Sequence, residues 1–275
     1  MAPLARVAIV TGASGGIGEA IAREFIKRGL RVALVARSAA KLSALAEELN
    51  RSSAAEVAVP FPLDVTDRAA LSALAQSVKD SFGRLDFVVN NAGVNRRGPV
   101  TERSAEELVE IIETNLVAPV CLSRAALPLL ERGGAIINVA SLAGKVPIPD
   151  EAAYSASKTG LRAFARALDI ELAEHGRDIR VHTICPGPVD TGFFGQDLSL
   201  VPDLVFSQPM SQAIDVAAAV FELVESGEQE RDIPALSGKL ATLSYLSPRL
   251  FTAIRPWFTR LGARNKARFM ARRRS

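Results

Sequence analysis

Two kinds of segment alternate along this chain. Short runs are apolar at nearly every position, and longer stretches carry apolar residues every three or four positions. The short runs lie at 6–11 (RVAIVT), 31–36 (RVALVA), 57–61, 85–90 (LDFVVN), 134–140, 179–185 and near 231–235. A brief unbroken apolar run predicts a strand buried on both faces. The longer stretches, near 17–28, 39–50, 67–81, 104–131, 151–175 and 211–226, predict helices. Their alternation predicts an α/β fold, a seven-stranded parallel sheet with helices on both faces. Right-handed crossovers make the sheet doubly wound and place a ligand at the carboxyl ends of its strands. A chain of 275 residues fits one such domain, at 1–235, with an extension at 236–275.

The first strand runs directly into Gly12-Ala13-Ser14-Gly15-Gly16-Ile17-Gly18 and then into a helical pattern. Strand, glycine turn and helix form the context of a dinucleotide-phosphate site. Gly12 permits the tight turn, Gly16 lets the backbone approach a pyrophosphate, and Gly18 lets the helix pack closely on the strand. The helix N-terminus then offers free N–H groups to the phosphates. The second strand ends at Ala36, followed by Arg37 and Ser38, where NAD sites carry an acid for the ribose 2′-hydroxyl. A guanidinium there favours a 2′-phosphate, so NADP(H) is expected over NAD(H).

Further along, Tyr154 is followed four positions later by Lys158, and Ser141 precedes Tyr154 by thirteen positions at the end of an apolar strand. Residues four apart on a helix share a face, so Lys158 is expected beside Tyr154. A phenol has a pKa of about 10, and a neighbouring ammonium lowers it towards a useful acid–base group. Ser141 is placed to hold the same substrate oxygen.

Taken together, these motifs resemble the short-chain dehydrogenase/reductase superfamily, over roughly residues 5 to 235. TGASGGIG at 11–18 matches the family's phosphate turn, including Ser14 and Ile17. Asp64, with Val65 beside it, matches the residue that contacts the adenine ring. Asn91, Ala92 and Gly93 belong to the NNAG motif beside the cofactor. Asn115, Ser141, Tyr154 and Lys158 match the catalytic tetrad, and Pro186, Gly187, Val189 and Thr191 match the segment near the nicotinamide. The resemblance implies a Rossmann-type fold and the NADP(H)-dependent interconversion of a carbonyl and a secondary alcohol. In it Tyr154 donates or accepts the proton, and Lys158 lowers its pKa and binds the ribose. Ser141 polarises the carbonyl, and Asn115 holds a water that links Lys158 to solvent. It also implies a homodimer or homotetramer. One position departs from the pattern: Gly15 stands where many NADP-preferring members carry a second basic residue, leaving Arg37 as the discriminator. The alternatives are a non-catalytic NADP-binding scaffold, against which the intact tetrad argues, and an epimerase or dehydratase, which the short chain disfavours.

Segment 190–210 is markedly apolar, with Phe193, Phe194, Leu198, Leu200, Val201, Leu204, Val205 and Phe206. Glycines 192 and 195 and prolines 202 and 209 suit a mobile lid over a hydrophobic fatty acyl or steroid-like substrate. Gly98-Pro99 marks a loop expected to border the substrate cleft, and beside it Arg96 and Arg97 read as surface charge rather than as cleft residues.

Charge separates the extension from the rest. All 30 acidic residues precede Ile233, whereas ten of the 33 basic residues follow it. Leu250, Phe251, Ile254, Trp257, Phe258 and Leu261 recur at helical spacing, with Arg249, Arg255 and Arg260 off that stripe. Pro256 is expected to kink this segment or divide it into two helices. The stripe is expected to pack on the body or a sister subunit; lying in a membrane interface is the second reading. The basic run is short and carries no nucleic-acid recognition motif. No secretory signal or spanning helix is expected, which suggests a cytoplasmic enzyme, free or membrane-associated. Cys121, Cys185, His175 and His182 read as structural, with no metal site.

Overall fold

The computed structural model describes residues 5–51, 53, 55–194, 198 and 201–274. Strand β1 (Val7–Thr11) is buried at all five positions and lies between β2 (Arg31–Ala36) and β4 (Phe87–Asn90). With β3 (Ala58–Pro62), β5 (Gly134–Val139), β6 (Ile179–Pro186) and β9 (Glu230–Ile233) they form one parallel sheet, ordered β3-β2-β1-β4-β5-β6-β9. A second, two-residue ladder joins β7 (Val189–Asp190) to β8 (Ser211–Gln212). The chain winds outward from β1 to β3 and then crosses back to β4. The reversal leaves a crevice between the carboxyl ends of β1 and β4, where such sheets bind ligands.

Helices cover both faces because the strands are apolar on both. On one face Ile21 and Phe25 of α1 (Gly16–Lys27), Leu42 of α2 (Ala39–Asn50) and Val220 of α7 (Ala213–Ser226) pack on the strands. Burying a side chain such as Phe25 contributes ~1.5–3 kcal/mol. On the other face lie Leu71 and Leu74 of α3 (Arg68–Phe82), Leu122 of α5 (Ala118–Ala126) and Leu168 of α6 (Ala152–Glu174). Local signals set the helix ends. Asp67 caps α3 through the N–H groups of Ala69 and Ala70, both at 3.1 Å, and left-handed Gly83 ends it.

Two expectations need correction. The stretch 104–131 is not one regular helix. It is α4 (Ala105–Ile112), a π turn over Glu113–Val117, and α5. Pro119 has no N–H to offer the carbonyl of Asn115, four residues back, so the ladder opens there. Of the two readings of Pro256, division into two helices does not hold. The extension forms α8 (Ala235–Leu246) and α9 (Pro248–Arg274), and Pro256 sits inside α9. The break falls at Ser247 (φ −130°, ψ 75°), because the residue before a proline is pushed out of the helical region. Pro248 then starts α9, where its missing N–H costs nothing.

Candidate active site

A cavity of about 910 Å³ opens along the carboxyl ends of the strands. At one end the glycine turn forms its floor. Gly12 and Gly16 hold φ of 68° and 57°, values that disfavour any side chain. A Cβ on Gly18 would collide with the carbonyl oxygen of Gly12 and lie 2.5 Å from Asn91 Nδ2. The start of α1 is thus drawn tight onto the turn. Asn91 holds the turn from the far side, donating from Nδ2 to the Thr11 carbonyl at 2.9 Å. Thr11 Oγ1 accepts from the N–H groups of Asn91 and Ala92, both at 3.0 Å, and donates to the Val89 carbonyl. This knot between β1 and β4 was not anticipated for Thr11. Across the cleft Thr191 faces Gly16, close enough that a Cβ on Gly16 would touch it at 3.4 Å.

Ser14, Ile17, Arg37, Asp64, Val65, Ala92, Gly93, Pro186, Gly187 and Val189 line the same cavity. Asp64 accepts from the N–H and hydroxyl of Thr66 at 3.0 and 2.8 Å. These bonds, with Arg37 nearby, hold its carboxyl below the usual range. Lys41, at the start of α2, joins Arg37 in the cavity wall. It is a second cation at this end of the cavity, four residues after Arg37.

Midway along the cleft Ser141, Tyr154 and Lys158 share one wall. Ser141 ends β5 and its Oγ accepts from the Ala143 N–H at 3.1 Å. Tyr154 lies in the first turn of α6 and is almost wholly buried. Burial pushes its phenol up to about 12, against a smaller lowering by a hydrogen bond with Ser141. Lys158 Nζ sits 5.8 Å from the Tyr154 ring centroid and donates to the Val139 carbonyl at 2.8 Å. Its own charge is disfavoured by burial, down to about 8. Burial thus sets the direction for the phenol, and the lowering that does act on it comes from Ser141 and Arg97 rather than from Lys158 as expected.

Gly18 and Asn115 are the two sequence-predicted residues that do not line the cavity; they stand behind it. Asn115 is fully buried in the π turn. Its Oδ1 accepts from the Val94 N–H at 2.8 Å, and its Nδ2 donates to the Val94 carbonyl at 2.9 Å and to Ser157 Oγ at 3.1 Å. It pins the loop after β4 to α6, beneath Gly93 and Lys158.

Arg97 corrects another expectation. Arg96 pairs with Glu110 at the surface, as surface charge should. The Arg97 side chain, however, is only 10% exposed and bonds Glu151 at 2.8 Å, beside Tyr154 in the cavity wall. Its guanidinium also lies 5.6 Å from the Phe193 ring, which in turn packs 6.0 Å from the Tyr154 ring. The spacing of Arg97 and Glu151 in sequence carried no sign of the pair.

The far end of the cavity is apolar. Leu204 and Val205 of the 190–210 segment face Leu236 and Leu240 of α8 and Phe251, Ile254 and Phe258 of α9. Leu198, Val201 and Phe206 of that segment are buried in a cluster with Phe269 and Met270. Gly195 and Leu200 lie outside the described residues, as does the side chain of Phe194. The described part of the segment is pinned rather than free, because α9 lies across it. A Cβ on Gly262 would collide with the Asp203 carbonyl. Asn265 and Lys266 donate to the carbonyls of Phe206 and Val201 at 3.0 and 2.7 Å.

Among the described residues Cys185, Glu230 and Asp232 bring a thiol and two carboxylates within 4.8 Å of one another. Lys145 and Arg162 already pair with these carboxylates at 2.6–2.8 Å. Burial also pushes the Cys185 thiol well above its usual range. The cluster is an ion-pair knot beneath β9 rather than a metal donor set.

A family model described as short chain dehydrogenase matches residues 6–199. The chain belongs to the short-chain dehydrogenase family. The ketoacyl reductase HetN of Nostoc is 34% identical over 92% of this chain and 89% of its own length. An alcohol dehydrogenase from Thermococcus sibiricus, solved with 5-hydroxy-NADP, is 32% identical. It covers 82% of this chain and 95% of its own, with a TM-score of 0.72. A Burkholderia phymatum member solved with NAD is 25% identical over 90% of this chain and 95% of its own, with a TM-score of 0.80. As a short-chain dehydrogenase the protein is an oxidoreductase with a nicotinamide cofactor. The residues present fit that group: the backbone cradle at Gly12, Gly16 and Gly18 admits no side chain where phosphates approach.

Proposed function

We propose that the protein is an NADP(H)-dependent oxidoreductase that interconverts a carbonyl and a secondary alcohol on a lipophilic substrate. The carrying observation is that Tyr154, Ser141 and Lys158 share one cavity with the glycine turn at one end and an apolar chamber at the other. Arg37 and Lys41 at the first end suit a 2′-phosphate, which binds cations through charge-assisted hydrogen bonds. The two structural relatives above carry 5-hydroxy-NADP and NAD respectively, so preference rests on these side chains. The names ketoacyl reductase and alcohol dehydrogenase agree with carbonyl chemistry.

When bound, the nicotinamide supplies or accepts the hydride. This chain supplies position and the proton. Ser141 orients the substrate oxygen towards Tyr154. Tyr154, protonated at neutral pH, gives its proton to that oxygen in reduction. Charged Lys158 favours the phenolate left behind, and binds the cofactor's ribose hydroxyls. Asn115 keeps the loop after β4 in register with α6, so that Lys158 and Tyr154 hold their spacing. Phe193 packed on Tyr154 excludes water from the proton path. The apolar chamber takes the rest of a fatty acyl or steroid-like substrate by burial of its hydrocarbon.

The test is cofactor consumption with aldehydes, 3-oxoacyl thioesters, steroids and other ketones, comparing NADPH with NADH. The expected outcome is turnover of lipophilic ketones with NADPH preferred. Activity confined to small polar sugars, or preference for NADH, would refute the corresponding part.

A further inference from the structure

Helix α8 is inside out. The face it turns to the body carries small residues, Ser237, Gly238 and Ala241, all buried. A Cβ on Gly238 would collide with Asp232, so this face is seated as close as a helix can be. The opposite face carries Leu236, Leu240, Leu243 and Leu246, spaced at three and four, with Leu236 69% and Leu246 75% exposed. A helix on a protein surface in water shows the reverse pattern. The first half of α9 continues the patch with Ile254 and Trp257, the latter 62% exposed. Four of these residues, Leu236, Leu240, Leu243 and Ile254, also line the cavity, so the patch is the rim of its apolar end.

Charge decides what covers the patch. Lys239, Arg249, Arg255 and Arg260 are exposed around it, without a carboxylate partner among the described residues, and no acidic residue follows Asp232. A second copy of the chain docked on this face would bring these cations against their own counterparts. Anionic lipid headgroups would neutralise them while the leucines and Trp257 enter the acyl boundary.

We propose that α8 and the first half of α9 dock on an anionic bilayer surface, so that the cavity's apolar mouth opens into the membrane. Lipophilic substrate then passes from bilayer to Tyr154 without crossing water. The docking surface stands on its own geometry; its role in substrate delivery rests on the function proposed above. Among the described residues no helix is long and apolar enough to cross a membrane, so the contact is interfacial.

Trp257 is the chain's sole tryptophan and reports on the patch directly. The experiment titrates the full chain with phosphatidylcholine vesicles, with and without phosphatidylserine, and follows tryptophan emission and flotation. With phosphatidylserine the emission should shift to the blue and the protein should float; added salt should weaken both. Arg255→Glu with Arg260→Glu should lower the apparent vesicle affinity by at least about tenfold. Tyr245, 61% exposed beside Leu246, lies with it outside the cavity wall, and Tyr245→Ser with Leu246→Glu, which keeps Trp257, should abolish flotation. That variant should still turn over a water-soluble ketone, which shows it is folded. No shift and no flotation with anionic vesicles overturns the proposal. So does a dimer, seen by light scattering, that the Tyr245/Leu246 variant dissociates. A chain that consumes NADPH but ignores vesicles refutes only the docking. One that floats but never turns over refutes only the catalytic reading.

Discussion

The two ends of the cleft are built by different means. The cofactor end is made of backbone drawn so close that glycine is required, held by Thr11 and Asn91 at strand ends. The substrate end is made of apolar side chains on helices that leave the sheet altogether, and its rim is left uncovered. The first end fixes a ligand that many related proteins share. The second holds whatever chain its helices leave room for. A substitution at one end should therefore leave the other end's ligand untouched, and that independence can be broken.

The largest effect is expected between the two ends. Tyr154→Phe should lower kcat by ~10²–10⁴-fold, the usual contribution of a positioned proton donor, with NADPH affinity by fluorescence titration nearly unchanged. Next, Arg37→Asp should raise the NADPH KM by about 10–100-fold, since a hydrogen bond to a charged group contributes ~1.5–3 kcal/mol. The NADH KM and the substrate KM should move little in the same assays.

Two glycines sharpen the contrast. Gly18→Ala and Gly262→Ala each push a methyl into a backbone carbonyl, and each should cost ~1–3 kcal/mol of stability by thermal unfolding. The first should weaken cofactor binding and spare the substrate KM. The second should loosen α9 from residues 203–207 and raise the KM for lipophilic ketones alone. The smallest effect is a pH dependence. Lys158 is charged below about 8 and neutral above it, whereas Tyr154 stays protonated to about 12. Reductive kcat/KM should thus fall, by up to tenfold per unit, as pH rises through about 8. Lys158→Arg should move that inflection upward in a pH-rate profile.

Much of this was legible in the chain because its signals are local. Unbroken apolar runs marked the sheet, and the glycine spacing marked the turn. Tyr154 and Lys158 announced themselves by an interval that one helix satisfies. Arg97 was misread because its partner, Glu151, comes from a different loop, and only packing shows that both are buried. Lys41 was missed because no motif marks it, and only the cavity wall shows it beside Arg37 at the start of α2. Pro119 stood in plain view, yet its effect on the ladder at Asn115 is a matter of which carbonyl loses its donor.

The sequence by itself determined the strands, the glycine turn and the interval that sets Tyr154 and Lys158 on one helix. These depend on conformations that a few consecutive residues must adopt. Tertiary structure alone decided that burial raises the Tyr154 phenol and that α9 lies across 203–207. It also decided that the leucines of α8 face outward. Desolvation and exposure are properties of what surrounds a side chain, and that is set by the whole fold rather than by neighbours in the chain.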